Sequence, residues 1–365
     1  MCRSYLPEAG QCEAGVLSSD ELACPSEAAV DMDIDPPWLW AAAAAGALAA
    51  LGALLLLLRL LLRLLLRLHV GTCRCAGSLR GQLAVVTGAN AGLGYETALA
   101  LARRGARVVL ACRDEERARA ARDRIVAATG NPEVLVRRLD LASLASVRQF
   151  AAELAAAEPR LHVLVNNAGV YARGNTLTAD GLVLEMQVNH FAPFLLTLLL
   201  LPRLRAARGR VVTVSSVLHW LGTADTARMN TPGAYGDLRT YCNSKLCGVA
   251  LSAELARREA GRVAAVSLHP GIVRTGVAEG ALFAAWCWLC ARSAAEGAQS
   301  ALHAAGSAQC AAGAPGSGQY LQECRPRRWS RRPGAHDPAL ARKLWEYSER
   351  LVHYRYEDVP TDDKL

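Results

Sequence analysis

Between Trp38 and Leu58 the chain carries no ionisable side chain for 21 residues, and that run limits its folding more than any other feature. As a helix rising about 1.5 Å per residue it would reach roughly 31 Å, the thickness of a bilayer's hydrocarbon core. A cleaved signal peptide is shorter, lies nearer the start and follows positive charge. Here the preceding residues hold Glu8, Glu13, Asp20, Glu21, Glu27, Asp31, Asp33 and Asp35 against Arg3 alone. On the far side come Arg59, Arg63, Arg67, Arg74 and Arg80, with no acid before Glu96. The first three recur every four residues, so a helix would carry them as one stripe able to reach lipid phosphates. The positive-inside rule then predicts a single-pass anchor whose arginine side, and everything after it, faces the cytosol. An acidic segment is expected over 1–37, the anchor with its basic stripe over 38–68, a linker over 69–80, a catalytic domain over 81–352 and a tail over 353–365.

The formal net charge of +8 does not read as a nucleic-acid footprint. The arginines are interleaved with acids, as in Arg113-Asp114-Glu115-Glu116-Arg117, which suits a solvated helix face. The 12 cysteines are scattered and do not form a pairing framework, and a cytosolic domain keeps them reduced. Cys287 and Cys290 have no second pair at zinc spacing. Cys73 and Cys75 stand close enough to the anchor for S-acylation, or serve as plain linker thiols.

Beyond Gly81 short apolar runs alternate with helical stretches. Strands are expected at Leu83–Val86, Arg107–Ala111, Val134–Val136, His162–Val165, Arg210–Val214 and Val263–Leu268, with a last one near Gly318–Leu321. Helices are expected from Leu93, from Asp114, from the serine cap Ser143, from about Gly181 to Leu201, across Tyr241, and over Pro338–Val352. This is the pattern of βαβ units, hence an α/β fold: a single Rossmann-like doubly wound parallel-sheet domain behind the transmembrane helix. Leu195–Leu201 is too short to span a bilayer and reads as a buried helix. Ala281–Ala291 reads as a core helix or a lid over the substrate.

The first strand runs into Thr87-Gly88-Ala89-Asn90-Ala91-Gly92-Leu93-Gly94 and then a helix, the context in which glycines let backbone approach a pyrophosphate. Downstream, Tyr241 and Lys245 lie one helical turn apart, 25 positions after Ser216. An ammonium there is expected to favour the phenolate and lower the tyrosine pKa. A phenol beside a bound nicotinamide suits the exchange of a hydride and a proton between an alcohol and a carbonyl.

Thr87-Gly88, Gly92, Gly94, Asn166-Asn167-Ala168-Gly169, Ser216, Tyr241-x-x-x-Lys245 and Pro270-Gly271 occur in an order that resembles the short-chain dehydrogenases/reductases. The likeness covers about Leu79 to Val352. Leu110-Ala111-Cys112-Arg113-Asp114, Asp140-Leu141-Ala142-Ser143 and Leu344-Trp345-Glu346 make it similar to the membrane-anchored retinol dehydrogenase group. The resemblance implies that Tyr241 is the general acid/base, that Lys245 holds the nicotinamide ribose, that Ser216 hydrogen-bonds the substrate oxygen and that Asn189 belongs to a proton relay. It implies a dinucleotide held by Gly88, Asn90, Gly92, Leu93, Gly94, Arg113, Asp140, Leu141, Asn167, Ala168, Gly169, Tyr241, Lys245, Pro270 and Thr275. His190 and His219 read as structural. No metal is expected, and a homodimer is expected by family analogy only.

NAD-selective sites carry an acid at the end of the second strand to bind the ribose 2′-hydroxyl. Cys112-Arg113 stands there instead, offering a guanidinium to a 2′-phosphate and favouring NADP(H) over NAD(H). Tyr95 departs from the resemblance, taking a place where such relatives often have a basic residue. Leu218, Trp220 and Leu221, with Phe283–Trp288, are expected to line an apolar pocket for a lipophilic alcohol, aldehyde or ketone, such as a retinoid or steroid. Because cytosolic NADP is kept reduced, carbonyl reduction is the expected direction. The alternative is a catalytically idle dinucleotide-binding scaffold at a membrane, against which every catalytic position is filled.

Overall fold

A computed structural model describes residues 37–68, 71–75, 77–172, 176–273, 291–327 and 337–361. The chain divides into two compact units, Met1–Leu56 and Leu57–Leu365. Thr275, the Phe283–Trp288 segment, Cys287, Cys290, residues 1–36 and the side chains of Arg63 and Arg67 lie outside the described residues. Helix α1 (Pro37–Leu68) runs through the apolar stretch, and its Trp38–Leu62 portion is exposed and long and apolar enough to cross a membrane.

The second unit is built on an eight-stranded sheet of order β3-β2-β1-β4-β5-β6-β7-β8. The strands are β1 (Leu83–Thr87), β2 (Arg107–Cys112), β3 (Val134–Arg138), β4 (Val163–Asn166), β5 (Arg210–Val214), β6 (Ala264–His269), β7 (Tyr320–Gln322) and β8 (Arg325–Pro326). All neighbours pair in parallel except β7 with β8. The chain order reverses direction between β1 and β4, which is the switch point where open sheets of this type leave a ligand crevice. The strands read as unbroken apolar runs because both faces are covered. Along β1, Leu83 and Val85 enter one core and Ala84 and Val86 the other. This is the doubly wound architecture expected from the alternation.

Helices α2 (Gly92–Arg103) and α3 (Glu115–Thr129) cover one face, and α4 (Leu144–Ala157), α5 (Leu184–Ala206) and α6 (Asp237–Arg258) the other. Two caps are legible in the sequence: Asp114 accepts from Arg117 N at 3.0 Å and Ser143 from Ser146 N at 3.2 Å. Although α5 is apolar enough to span a membrane, most of it is buried inside this unit, as suits a helix apolar all round. The expected start at Gly181 moves to Leu184, and a π-helical turn over Gln187–Phe191 interrupts it.

Helix α7 (Ala294–Gly306) was not legible as an element, nor was β8. Helix α8 (Pro338–Val352) packs Leu344 and Trp345 into the core. The packing continues past Val352. Buried Arg205 pairs with Glu259 at 2.6 Å and donates to Pro360 O at 3.1 Å, while the Tyr356 hydroxyl donates to Glu259 at 2.6 Å. The stretch around Gly71–Arg80, expected to be a linker, is also held. Leu79 is buried and donates its N–H to Arg104 O at 2.9 Å.

Candidate active site

Parallel strands deliver their C-terminal ends to one edge of the sheet, and most of the expected site residues in the described segments follow one of those ends. Gly88 to Gly94 follow β1, Arg113 follows β2, Asp140 and Leu141 follow β3, Asn167 to Gly169 follow β4, Ser216 follows β5 and Pro270 follows β6. Asn189 sits in the π turn of α5, and Tyr241 and Lys245 on α6.

The glycine turn is locked against the loop after β4. Thr87 Oγ1 accepts from the backbone N–H of Asn167 and of Ala168, both at 3.0 Å, and Asn167 Nδ2 donates to Thr87 O at 2.8 Å. Gly88 is left-handed (φ +65°), and a Cβ on it would come 3.1 Å from Ala168. A Cβ on Gly94 would fall 2.5 Å from Asn167 Nδ2 and closer still to Gly88 O, so only glycine lets α2 approach this turn. No side chain caps the N-terminus of α2, and its first turn has no acid. Its leading amides therefore remain for an anion. These observations fit a dinucleotide pyrophosphate.

Just beyond β2, Arg113 is exposed, and the acid that follows it, Asp114, is used as the cap of α3. Asp140 turns inward locally, its Oδ1 accepting from Ala142 N at 3.0 Å. Arg124 lies over the Tyr95 ring, 4.6 Å from its centroid.

The reacting end is a packed polar network. Lys245 Nζ donates to Val214 O at 3.1 Å and lies 5.4 Å from the Tyr241 ring centroid. Ser215 Oγ donates to Lys245 O at 2.9 Å, fixing the end of β5 to α6. Ser216 hydrogen-bonds the Tyr241 phenol. The Ser216 carbonyl accepts from Nδ1 of buried His219 at 2.6 Å. Asn189 spends its amide on structure: Oδ1 accepts from Val170 N at 2.8 Å, and Nδ2 donates to Val170 O at 2.9 Å and Ser244 Oγ at 3.1 Å. The π turn brings it there, a common use of such turns at functional sites. A Cβ on Gly169 would stand 3.3 Å from both Asn189 Oδ1 and Lys245 Nζ, so this glycine keeps the crevice open above the lysine. His190 is buried on Ser348, and burial pushes it down to about 3, leaving it neutral.

One expectation is reversed. Burial pushes the Tyr241 phenol up to about 12, with the Ser216 hydrogen bond acting in the other direction. Burial likewise lowers Lys245 to about 8. Desolvation dominates both groups, so the resting pair at neutral pH is a neutral phenol beside an ammonium. Tyr171, missed by the sequence reading, packs edge-on against Tyr241 with centroids 5.4 Å apart, and no local pattern marks it. On the substrate side, Val217, Trp220 and Leu221 are exposed. A groove of about 370 Å³ lies between Leu221 and Leu238, but neither Ser216 nor Tyr241 lines it.

A family model described as short chain dehydrogenase matches residues 82–282. The chain is 44% identical over 313 residues to human dehydrogenase/reductase SDR family member 13, covering 83% of this chain and 81% of that one. It is 42% identical over 294 residues to human retinol dehydrogenase 12, covering 79% and 91%. Among solved structures, an uncharacterized protein from Mycobacterium paratuberculosis superposes with a TM-score of 0.65 at 33% identity, over 80% of this chain and 100% of that one. The RhlG/NADP complex of Pseudomonas aeruginosa gives a TM-score of 0.54 at 28% identity, over 67% and 95%.

Proposed function

Because the chain belongs to the short-chain dehydrogenase/reductase family, oxidoreductases that interconvert CH–OH and carbonyl groups with a nicotinamide dinucleotide, we propose that it reduces a lipophilic carbonyl with NADPH. The observation that carries this reading is the convergence of Ser216, Tyr241 and Lys245 beside a glycine turn shaped for a pyrophosphate. When bound, the dinucleotide supplies the hydride. Ser216 holds the carbonyl oxygen, and Tyr241, hydrogen-bonded to Ser216 and protonated at neutral pH, delivers a proton to that oxygen. A phenol that stays protonated is matched to reduction, whereas oxidation would first have to ionise it. Lys245, held at Val214 O, keeps its remaining N–H donors for the nicotinamide ribose and its charge close to the forming phenolate. Asn189 fixes Val170 and Ser244 around that lysine and so holds the start of a proton relay.

Arg113 is the basis for preferring NADP(H), since its exposed guanidinium replaces the acid that would bind a 2′-hydroxyl. The ion-assisted bond to a 2′-phosphate is worth about 1.5–3 kcal/mol. Arg113→Ala should therefore raise the KM for NADPH by roughly 10- to 100-fold and leave that for NADH within about twofold. Initial rates with both cofactors across a panel of retinoid, steroid and fatty aldehydes and ketones check this. Equal losses with the two cofactors would reject the assignment, and no turnover with any carbonyl would favour the idle scaffold.

The lipophilic substrate class rests on the apolar Val217, Trp220 and Leu221 beyond Ser216 and on the retinol dehydrogenase named among the relatives. The exposed apolar helix serves as a single-pass anchor, with the catalytic domain on its arginine side in the cytosol and the endoplasmic reticulum as host membrane. Protease added to intact microsomes should digest the catalytic domain and shield only the acidic N-terminal segment. Protection of the catalytic domain would overturn the orientation.

A further inference from the structure

Away from the crevice, two thiols and an imidazole meet beside α7. Gly71, Cys73 and Cys75 are half-buried while Thr72 and Arg74 are exposed. That is the period of two of an extended chain, which turns both cysteine side chains toward the same side. The segment is pinned by Gly71 N donating to Glu323 Oε2 at 2.7 Å and Cys73 N to Gln299 Oε1 at 3.1 Å. Across from it, His303 of α7 places Nδ1 3.5 Å from Cys75 Sγ. The two sulfurs and a ring nitrogen of His303 all lie within 4.8 Å of one another.

Those spacings have a specific meaning. Zinc bonds of about 2.3 Å to sulfur and about 2.0–2.1 Å to nitrogen, meeting at a tetrahedral angle, set the S···N edge at roughly 3.5 Å. The observed Cys75–His303 separation has that length before any ion is bound. We propose that Cys73, Cys75 and His303 bind one thiophilic divalent cation of the zinc class, with a fourth position left to water, clasping the segment after the anchor to α7. Two thiolates and an imidazole select a soft or borderline metal over magnesium or calcium.

The surroundings suit ligation. Arg104 Nη2 donates to Cys73 Sγ at 3.3 Å, an outer contact of the kind that orients a ligating sulfur. Burial works against ionising Cys73, but hydrogen bonds from His303, the Cys75 backbone and Arg104 bring it down to about 6. Burial and the neighbouring Cys73 push Cys75 up. Binding requires both thiols as thiolates, so any proton they still carry is released to solvent. No oxidation is involved, and the cytosolic side proposed for this domain keeps both sulfurs reduced.

The test uses the full chain purified in detergent under reducing conditions without chelator. Elemental analysis should find one zinc per chain. After stripping, titration with cobalt(II) should give intense thiolate-to-metal charge-transfer bands and tetrahedral d–d bands, saturating at one equivalent. Cys75→Ser and His303→Ala should each weaken cobalt binding by roughly 100-fold or more. His303→Ala should also lose NADPH binding no more than His353→Ala, an exposed-histidine control that keeps full metal content. Thermal melting and NADPH binding verify that each variant is folded. The proposal fails if folded wild-type protein holds under about one-tenth of an equivalent of zinc and shows no cobalt bands. It fails equally if Cys75→Ser leaves the bands unchanged, or if mass spectrometry of fresh protein finds a disulfide or S-acyl group on Cys73 or Cys75.

Discussion

Tyr241→Phe is expected to lower kcat for carbonyl reduction by about 10²- to 10⁴-fold, the usual contribution of a positioned general acid. The substitution removes one oxygen and keeps the ring that packs edge-on against Tyr171, so the fold has no reason to change. NADPH affinity should stay within about threefold, because the ribose contact belongs to Lys245. The pH profile gives a second, independent readout. Reduction needs the phenol protonated and the lysine charged. With Tyr241 at about 12 and Lys245 at about 8, both conditions hold below pH 8, and the lysine condition fails as pH rises through 8. Reduction should therefore be flat at neutral pH and decline above about 8, while alcohol oxidation, which needs the phenolate, should climb over the same range. Equal kcat in wild type and Tyr241→Phe would reject the mechanism. A reduction limb that instead rises with pH would show that the lysine charge is not required.

That profile could not have been read from the sequence, although the residues could. An i, i+4 tyrosine and lysine announce proximity, and proximity alone suggests an acidic phenol. Burial decides the sign, and burial is a tertiary quantity. The glycine turn, the loop after β4, Ser216 and Tyr241-x-x-x-Lys245 were legible because each needs a residue type that chemistry rarely replaces. The sheet was legible because strands covered on both faces must be continuously apolar. Helix α7 escaped because Ala294–Gly306 is rich in alanine, with Leu302 as its one large aliphatic residue and a glycine near its start. That glycine is a packing requirement, since a Cβ on Gly297 would stand 2.5 Å from Val273 Cγ2. The readable signal was the capping box of Ser293 and Glu296, with Glu296 N donating to Ser293 Oγ at 3.2 Å and Ser293 N to Glu296 Oε2 at 2.9 Å. The π turn around Asn189 has no such marker. It places the asparagine where it hydrogen-bonds Val170 and Ser244.

Gly94→Val is expected to cost the protein its cofactor. The first added carbon alone meets the Gly88 carbonyl and Asn167 Nδ2, and neither is the free end of a flexible side chain. Relief requires α2 to withdraw from the glycine turn or the loop after β4 to let go of it, breaking the 2.8 Å bond from Asn167 Nδ2 to Thr87 O. Either movement takes the helix amides away from the pyrophosphate. Overpacking of this kind destabilises by about 1–3 kcal/mol. The same displacement should raise the Kd for NADPH by roughly 10- to 100-fold, or about 1.4–2.8 kcal/mol. A general loss of stability is separable from this by Gly130→Ala. Gly130 is also left-handed (φ +66°) but faces open space at the C-terminal cap of α3. Alanine there should cost about 1–2 kcal/mol of backbone strain and leave NADPH binding unchanged. Fluorescence titration with NADPH alongside thermal melting distinguishes the two. If Gly94→Val bound NADPH as tightly as Gly130→Ala, close approach of α2 to the turn would not be what holds the dinucleotide.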